Sequence, residues 1–508
     1  MSNKYTDKWL NLYNDQMQIR LEKVKKIKTE RNPYRNGYRP DVTAKELIKE
    51  YESQENIGET KNYSLAGRVM IVRAFGKAAF VKLDDGSDNF QIYIRQDILP
   101  AEDFKEYEMV DHADIIFVQG QVFKTQKGEL SLKATQFKIL TKALRPLPEK
   151  YHGLTDPEIC YRQRYLDMIM NSETRKKLQI RSEIVHYIRE CFYKSGYLEV
   201  ETPMLHSIAG GATARPFHTH HNALDMELFL RIAPELHLKR LIVGGYTKVF
   251  EMNRCFRNEG LSVKHNPEFT SVEYYEAYAT CADQMHFTEE IICHTVQKVL
   301  NKEIIYYGEK EISFKRPFKK ITMRDSLVQI GDLVLSDLQT VESLSKALAK
   351  RGVDELKIGK TQSLGSLINI AFEELVEAKL IQPTFISEYP VEISPLARRN
   401  DDNPQFVDRF ELFINGWEIS NAFSELNDPI EQLERFADQA LKKEQGDLEA
   451  CDVDYDYVRA LEYGMPPTAG AAIGIDRFCM LLTSSETIRD VICFPLLKKE
   501  VFFEEEQK

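Results

Sequence analysis

The stretch KVFEMNRCFRNEG (248–260), followed after four polar or aliphatic residues by HNPEFTSVEYY (265–275), decides how this chain is read. It divides into a strand, a long loop and a second strand, since hydrophobic and polar residues alternate on both sides of a segment rich in Asn, Gly and Ser. Alternation at period two puts Phe269, Ser271, Glu273 and Tyr275 on one face of the second strand. That face offers a ring, a carboxylate and a phenol, with Arg257 and His265 close to the loop. A nucleotide base, its phosphates and a small cation would fit such a lining.

A second cluster is ELFINGWEISNAFSE (411–425). Asn415-Gly416 between two alternating runs predicts a two-residue hairpin turn, which sets Phe413 opposite Glu418 and puts Glu411 and Glu418 on one face. Two carboxylates this close repel unless a cation lies between them, and oxygen-only ligands suit magnesium bridging to phosphates. Asn421, Phe423 and Glu425 share a face with one another, but their parity with Glu418 is odd. One pocket for all of them needs a bulge or a strong twist between 418 and 421, which the residues themselves do not announce. A third segment, PPTAGAAIGIDR (466–477), carries small residues that suit either close approach of a ligand or a tightly packed core strand, with Arg477 where strand gives way to helix.

Upstream, five alternating runs between about residues 63 and 143 are separated by turn signals such as Asp85-Gly86-Ser87 and Lys127-Gly128. With no helix long enough to cover an open sheet, they predict a small closed barrel of the five-stranded oligonucleotide-binding (OB) type. Arg73, Phe80 and Gln91 would stand on its exposed face, an arrangement suited to stacking on unpaired bases; alternation equally allows Phe80 in the core. Trp9, Leu10, Tyr13, Met17, Leu21, Val24 and Ile27 recur at helical steps and predict one amphipathic helix over about 5–30, ended by Pro33. Thr43-Ala-Lys-Glu46 has capping-box spacing and opens a second helix. The Lys-rich face of the first helix is either a solvated surface or a nucleic-acid contact.

The 508 residues allow two to four domains, and 43% hydrophobic with 29% charged residues is ordinary for a globular protein. The divisions expected are a basic helical segment (1–60), the barrel (61–145), a linker (146–160) around Arg145-Pro-Leu-Pro148, and an α+β domain (161–508) built on an antiparallel sheet flanked by helices. Net charge is −11, yet residues 1–45 hold 11 Lys/Arg against 5 Asp/Glu. A basic head precedes an acidic body. Eight scattered cysteines without a C-x-x-C pair read as reduced thiols, and neither a membrane-length apolar run nor a signal-peptide core occurs. No membrane association and a cytoplasmic location are expected. Walker and Rossmann phosphate loops are absent from the sequence. His218, His220 and His221 lack a cysteine partner and fit loop residues better than a metal site.

FRNE (256–259) with His265 and Phe269 resembles motif 2 of the class II aminoacyl-tRNA synthetases, within about 247–278, and Gly470 to Arg477 resembles motif 3, within about 466–485. A helix over 180–196 followed by GYLEVETP (196–203) is similar to motif 1, about 180–205. Neither class I signature, H-I-G-H or K-M-S-K-S, is found. The OB-type barrel points to the Asp, Asn and Lys subgroup, and RPFHTHHNAL, RIAPELHLKRL, SPLARRND and NAFSELNDP are similar to its lysine-specific family. The resemblance covers about 60–495 and is weaker between 280 and 390. One departure is Asp476, where many class II enzymes carry Glu before the motif 3 arginine.

The resemblance implies ATP, L-lysine and tRNA(Lys) as substrates, Mg2+ as cofactor and a homodimer with Pro203 at its interface. Arg257 and Arg477 would be catalytic. Phe269 and Arg477 would sandwich the adenine, Glu259 would accept from its amino group, and His265 and Asn266 would reach the outer phosphates or metal. Glu411 and Glu418 would hold magnesium, with Glu411 also at the ATP site. For lysine it implies Gly211, Glu235 and Glu273 near the α-amine, Glu425 with Tyr275 near the ε-amine, and Arg257, Asn421 and Phe423 completing the pocket. Arg73, Phe80, Gln91 and Glu129 would meet the anticodon. Aspartyl or asparaginyl specificity, a barrel-less tRNA-independent paralogue, and a binding protein that lost the chemistry are the competing readings. An acidic pocket disfavours the first, the predicted barrel the second, and the presence of Arg257, Phe269, Glu411, Glu418 and Arg477 the third.

Overall fold

The computed structural model describes residues 3–500 except 56, 59, 149–153, 213, 360–362 and 448–449, so part of the predicted linker lies outside the described residues. The chain forms two compact units, residues 1–153 and 154–508.

In the first unit, β1 (Tyr63–Phe75), β2 (Ala78–Asp84), β3 (Asn89–Arg95), β4 (Ile115–Lys124) and β5 (Leu130–Thr141) close into a barrel in the order β1-β2-β3-β5-β4. Alternate residues such as Val81, Leu83, Ile92 and Ile94 fill the interior without solvent exposure, which is why period two was visible in the sequence. Phe80 is not among that core. It stands half-buried on the outer face in a row of rings, 5.5 Å from Phe75 and 5.1 Å from Tyr93, which in turn lies 5.8 Å from Phe123.

The single helix predicted over 5–30 is two, α1 (Lys4–Leu10) and α2 (Asp15–Glu30). The break falls at Asn14, whose side chain accepts from the Met17 amide and starts a new helix; hydrophobic spacing is blind to such an internal cap. Two basic residues of α2, and two more just beyond its end, are engaged within the same unit. Arg20 donates to the carbonyls of His112 and Ala143, Lys23 pairs with Asp111 at 2.6 Å, and Arg31 and Arg35 both reach the buried Glu106 of α4 (Ala101–Tyr107). The capping box at Thr43 and Glu46 opens α3 (Ala44–Tyr51) as its spacing predicted.

The second unit is built on an eight-stranded sheet. Its strands are β6 (Leu198–Glu199), β7 (Lys248–Phe256), β8 (Glu268–Ala277), β9 (Lys319–Thr322), β10 (Thr384–Pro390), β11 (Phe406–Ile414), β12 (Trp417–Ser424) and β13 (Thr468–Gly474). They lie in the order β9-β10-β11-β12-β13-β8-β7-β6, antiparallel except for the β9/β10 and β7/β6 pairs. One face packs against α5 (Ser172–Lys194), α7 (Cys281–Leu300) and α10 (Ile475–Leu482), where Phe192 stacks on Phe250 at 4.4 Å. Met252, Val272, Tyr274, Leu412 and Ile473 point into that core, so the intervening residues of each strand face the other way. The 280–390 stretch supplies α7, β9 and β10 and adds a separate core around Leu327, Leu344 and Leu367 beneath α8 (Leu364–Leu375).

Candidate active site

The opposite face of the sheet floors an open cleft of about 1150 Å³, its mouth included. Phe269, Ser271, Glu273 and Tyr275 of β8 all line it, as alternation required, and Gly470, Ala472 and Gly474 of β13 lie beside them in register. Arg257, Glu259, Lys264, His265 and Asn266 approach from the loop between β7 and β8. Gly211, packed against Ala233 and Glu235, lines the cleft with Glu235 at the first turn of α6 (Glu235–Val243).

The hairpin resolves the parity problem. Asn415 and Gly416 form the turn with φ of 57° and 69°, as a primed two-residue turn demands, and Phe413 pairs with Glu418. Leu412 then pairs with Ser420, so Ile419 is an extra residue on β12. This bulge brings Glu418 onto the same face as Asn421, Phe423 and Glu411. Glu418, Asn421, Phe423 and Glu425 consequently line one cleft, while Glu411 is enclosed beside them, its carboxylate held by Arg409 at 2.6 Å. Arg409 also donates to Asn421 Oδ1 at 3.0 Å. Burial, with Glu418 adding to it against the pull of Arg409, pushes the Glu411 carboxyl up to about 7. Two carboxylates this near each other, with no sulfur or nitrogen ligand among them, form a donor set that fits a hard divalent cation.

Arg257 lies 5.1 Å from the Phe269 ring, and its buried Nε has no hydrogen-bond partner. A buried guanidinium N–H without a partner is costly, and an anionic ligand would relieve it. Arg477 donates to the Glu418 backbone carbonyl at 2.9 Å and lies 3.1 Å from His265 Nε2, whose ring also meets Ser262 through Nδ1 at 2.7 Å. Burial and the neighbouring Arg477 lower the His265 pKa, so the ring is neutral at pH 7 and can accept from Arg477. Asn266 donates to the Glu268 carbonyl and keeps a buried, unpartnered Oδ1.

At the base of the cleft three carboxylates converge. Glu235, Glu273 and Glu425 are each less than a tenth exposed, and Tyr275 donates to Glu273 at 3.2 Å. Burial, then the proximity of Glu235, pushes the Glu273 carboxyl up to about 8. Burial likewise raises Glu235 and Glu425. Gly470 explains the small residues of the third segment: a Cβ there would sit 2.3 Å from the Tyr275 ring and 2.5 Å from Glu425 Oε1. Two residues that the sequence reading did not single out belong to this architecture. Arg181 of α5 bonds Asp476 Oδ1 at 2.5 Å while Asp476 Oδ2 accepts from the Thr270 amide, tying helix, β8 and α10 together. Lys239 of α6 pairs with both Glu235 and Glu425. Only the second carried a local signal, the i,i+4 spacing of Glu235 and Lys239.

The remaining predicted residues are not among those that line the cleft. Arg73 and Phe80 are opposite each other on β1 and β2, and Gln91 on β3 bridges Ser131 at 2.8 Å and the Glu129 carboxylate at 3.1 Å, all on one barrel surface. Pro203 is exposed just beyond β6, near Leu205, which is 46% exposed. His220 pairs with Glu227 at 2.7 Å on an exposed strand, and His221 accepts from the Leu224 amide.

Residues 156–498 match the family model for class II tRNA synthetases (D, K and N), and residues 63–140 match that for the OB-fold nucleic acid binding domain. With its antiparallel sheet, cleft and barrel, the chain belongs to the class II tRNA synthetases of the Asp, Lys and Asn group. Within that group it falls among the lysine–tRNA ligases. Proteins of that name from Pasteurella multocida (strain Pm70) and Haemophilus influenzae (strain PittGG) are 49% and 50% identical to it, each alignment spanning 96% of this chain and 98% of the relative. One from Citrobacter koseri is 50% identical, with 96% of both chains aligned. Among the described residues no helix is long and apolar enough to cross a membrane.

Proposed function

We propose that the cleft joins L-lysine to ATP and passes the lysyl group to tRNA(Lys), with each predicted side chain in the role given above. The observation that carries this is the pairing of a partnerless, buried Arg257 Nε with three buried carboxylates on one cleft floor. A ligand with one carboxylate and two ammonium groups satisfies both ends.

The lysine carboxylate is already ionised at pH 7, so no general base is required. Its oxygen attacks the α-phosphorus of ATP, the bond from that phosphorus to the α,β-bridging oxygen breaks, and the β- and γ-phosphates leave together as pyrophosphate. Arg257 holds the lysine carboxylate and the α-phosphate together, and Phe269 and Arg477 clamp the adenine. Glu259 accepts from the adenine amino group, and His265 and Asn266 reach the outer phosphates. Glu411 and Glu418 would hold magnesium, which when bound supplies positive charge to the phosphate oxygens. Positioning and charge neutralisation in such sites are worth several kcal/mol of barrier. In the second step a ribose hydroxyl of the tRNA 3′ end attacks the lysyl carbonyl and AMP departs.

Glu235 and Glu273 with Gly211 receive the α-ammonium, and Glu425 with Tyr275 the ε-ammonium, beside Asn421 and Phe423. The row of rings on the barrel, with Arg73, Gln91 and Glu129 around Phe80, supports stacking on anticodon bases. The exposed apolar side chains near Pro203 support a homodimer, and a cytoplasmic location accords with this activity. Glu425→Gln tests the pocket: lysine-dependent ATP–pyrophosphate exchange should fall at least a hundredfold while the fold persists, and unchanged exchange would remove the assignment.

A further inference from the structure

Lys239 is fully buried in α6. Its ammonium lies 2.6 Å from Glu235 Oε1 and against Glu425 Oε2, with the Phe423 ring at 5.3 Å and the Tyr457 ring at 6.0 Å. The charged groups around it come from four elements. They are Glu235 on α6, Glu425 at the end of β12, Glu273 beside Tyr275 on β8, and Arg409 on β11, which acts on Glu235. Arg240 lies over the Tyr457 ring, and Tyr457 is itself buried in α9 (Tyr455–Glu462). Glu425 Oε2 is engaged by the Lys239 ammonium, while Glu425 Oε1 is buried without a hydrogen-bond partner and is available to a ligand.

Resting on the lysine pocket assigned above, we propose that Lys239 is a specificity-determining positioning residue, whose buried ammonium keeps Glu235 and Glu425 ionised and oriented. Once all three carboxylates are ionised, as ammonium binding requires, they and the one ammonium of Lys239 sum to two net negative charges. Lysine brings two ammonium groups to it and leaves its carboxylate to Arg257. The charges then cancel, which a pocket of three uncompensated carboxylates would not achieve. Burial alone drives Glu235 and Glu425 toward their neutral forms, and Lys239 is the largest influence acting against it on both. Burial also opposes the charge on Lys239, but the two carboxylates outweigh it and raise its pKa. A neutral acid would neither favour a dication nor reject an uncharged side chain.

The test is Lys239→Met, of similar length and without charge, in lysine-dependent ATP–pyrophosphate exchange from pH 6 to 10. The KM for lysine should rise at least tenfold with the KM for ATP within twofold. The midpoint of the lysine kcat/KM profile should move up by one pH unit or more. A merely structural ion pair would not move that midpoint, and an unmoved midpoint in the folded variant overturns the proposal whatever the KM. Should the variant fail to fold, calorimetry of lysine binding to the unaltered protein at pH 7.5, in buffers of different ionisation enthalpy, decides. One proton or fewer released per lysine is the expected count, because Lys239 keeps two of the three carboxylates ionised beforehand. A release above one contradicts the proposal. Glu425→Gln run in parallel separates the two ideas: if it abolishes exchange while Lys239→Met leaves the midpoint in place, the pocket stands and Lys239 has no such role.

Discussion

In the proposed lysine pocket, Glu273 should make recognition depend on pH in a way its surroundings allow to be worked out. Its carboxyl is pushed up to about 8 by burial and by Glu235, yet it must be ionised to receive an ammonium group. At pH 7, one unit below that value, about one part in eleven is ionised, so binding carries a penalty of about 1.4 kcal/mol, a factor of about ten in kcat/KM. Lysine-dependent exchange measured from pH 6 to 8.5 at saturating ATP should therefore rise about tenfold per unit on the acid side and level off near pH 8. In Glu273→Gln the rise should vanish and activity should be low throughout. The stability of the lysine-free protein has the opposite slope. A carboxyl raised above its unfolded value contributes stability that is fully present below about 4.5 and is lost as pH climbs through about 8. The apparent Tm should fall from pH 6 to 9, less steeply with lysine bound. A wild-type profile that is flat between pH 6 and 8, or one that Glu273→Gln leaves unchanged, would refute the reasoning.

Gly470→Ala would drive a methyl group into Tyr275 and Glu425, so the KM for lysine should rise at least tenfold with the ATP site unaffected; equal losses for both substrates would argue that the strand itself moved. Phe80→Ala removes the middle of the ring row on the barrel, and with base stacking worth about 1–3 kcal/mol it should cost about ten- to hundredfold in tRNA charging, with pyrophosphate exchange intact. Arg181→Met leaves Asp476 buried without its partner and should destabilise the protein by about 3–5 kcal/mol, read from denaturant unfolding.

What the residues alone could reveal depended on how local the physics is. The barrel's alternation, the Asn415-Gly416 turn and the Thr43 capping box are each governed by a few neighbouring residues, and each stands as spaced. Phe80 could not be resolved locally, because either parity satisfies an alternating strand until the neighbouring rings of Phe75 and Tyr93 settle it. The bulge at Ile419 was legible only as a need, since it arises from pairing across β11 rather than from any special residue. The Asn14 cap was masked by an unbroken hydrophobic rhythm on both sides of it. Arg181 and Asp476 are far apart in sequence, and nothing near either names the other. The acidic pocket itself came from the resemblance, whereas its internal cation, Lys239, needed the three-dimensional packing of α6 against the end of β12.

The proposed chemistry requires a cleft that selects a dication, and the most direct measurement is the amino-acid dependence of ATP–pyrophosphate exchange by the purified protein. Lysine alone should drive it, with aspartate and asparagine inert. Exchange driven by aspartate or asparagine, with lysine silent, would contradict the account.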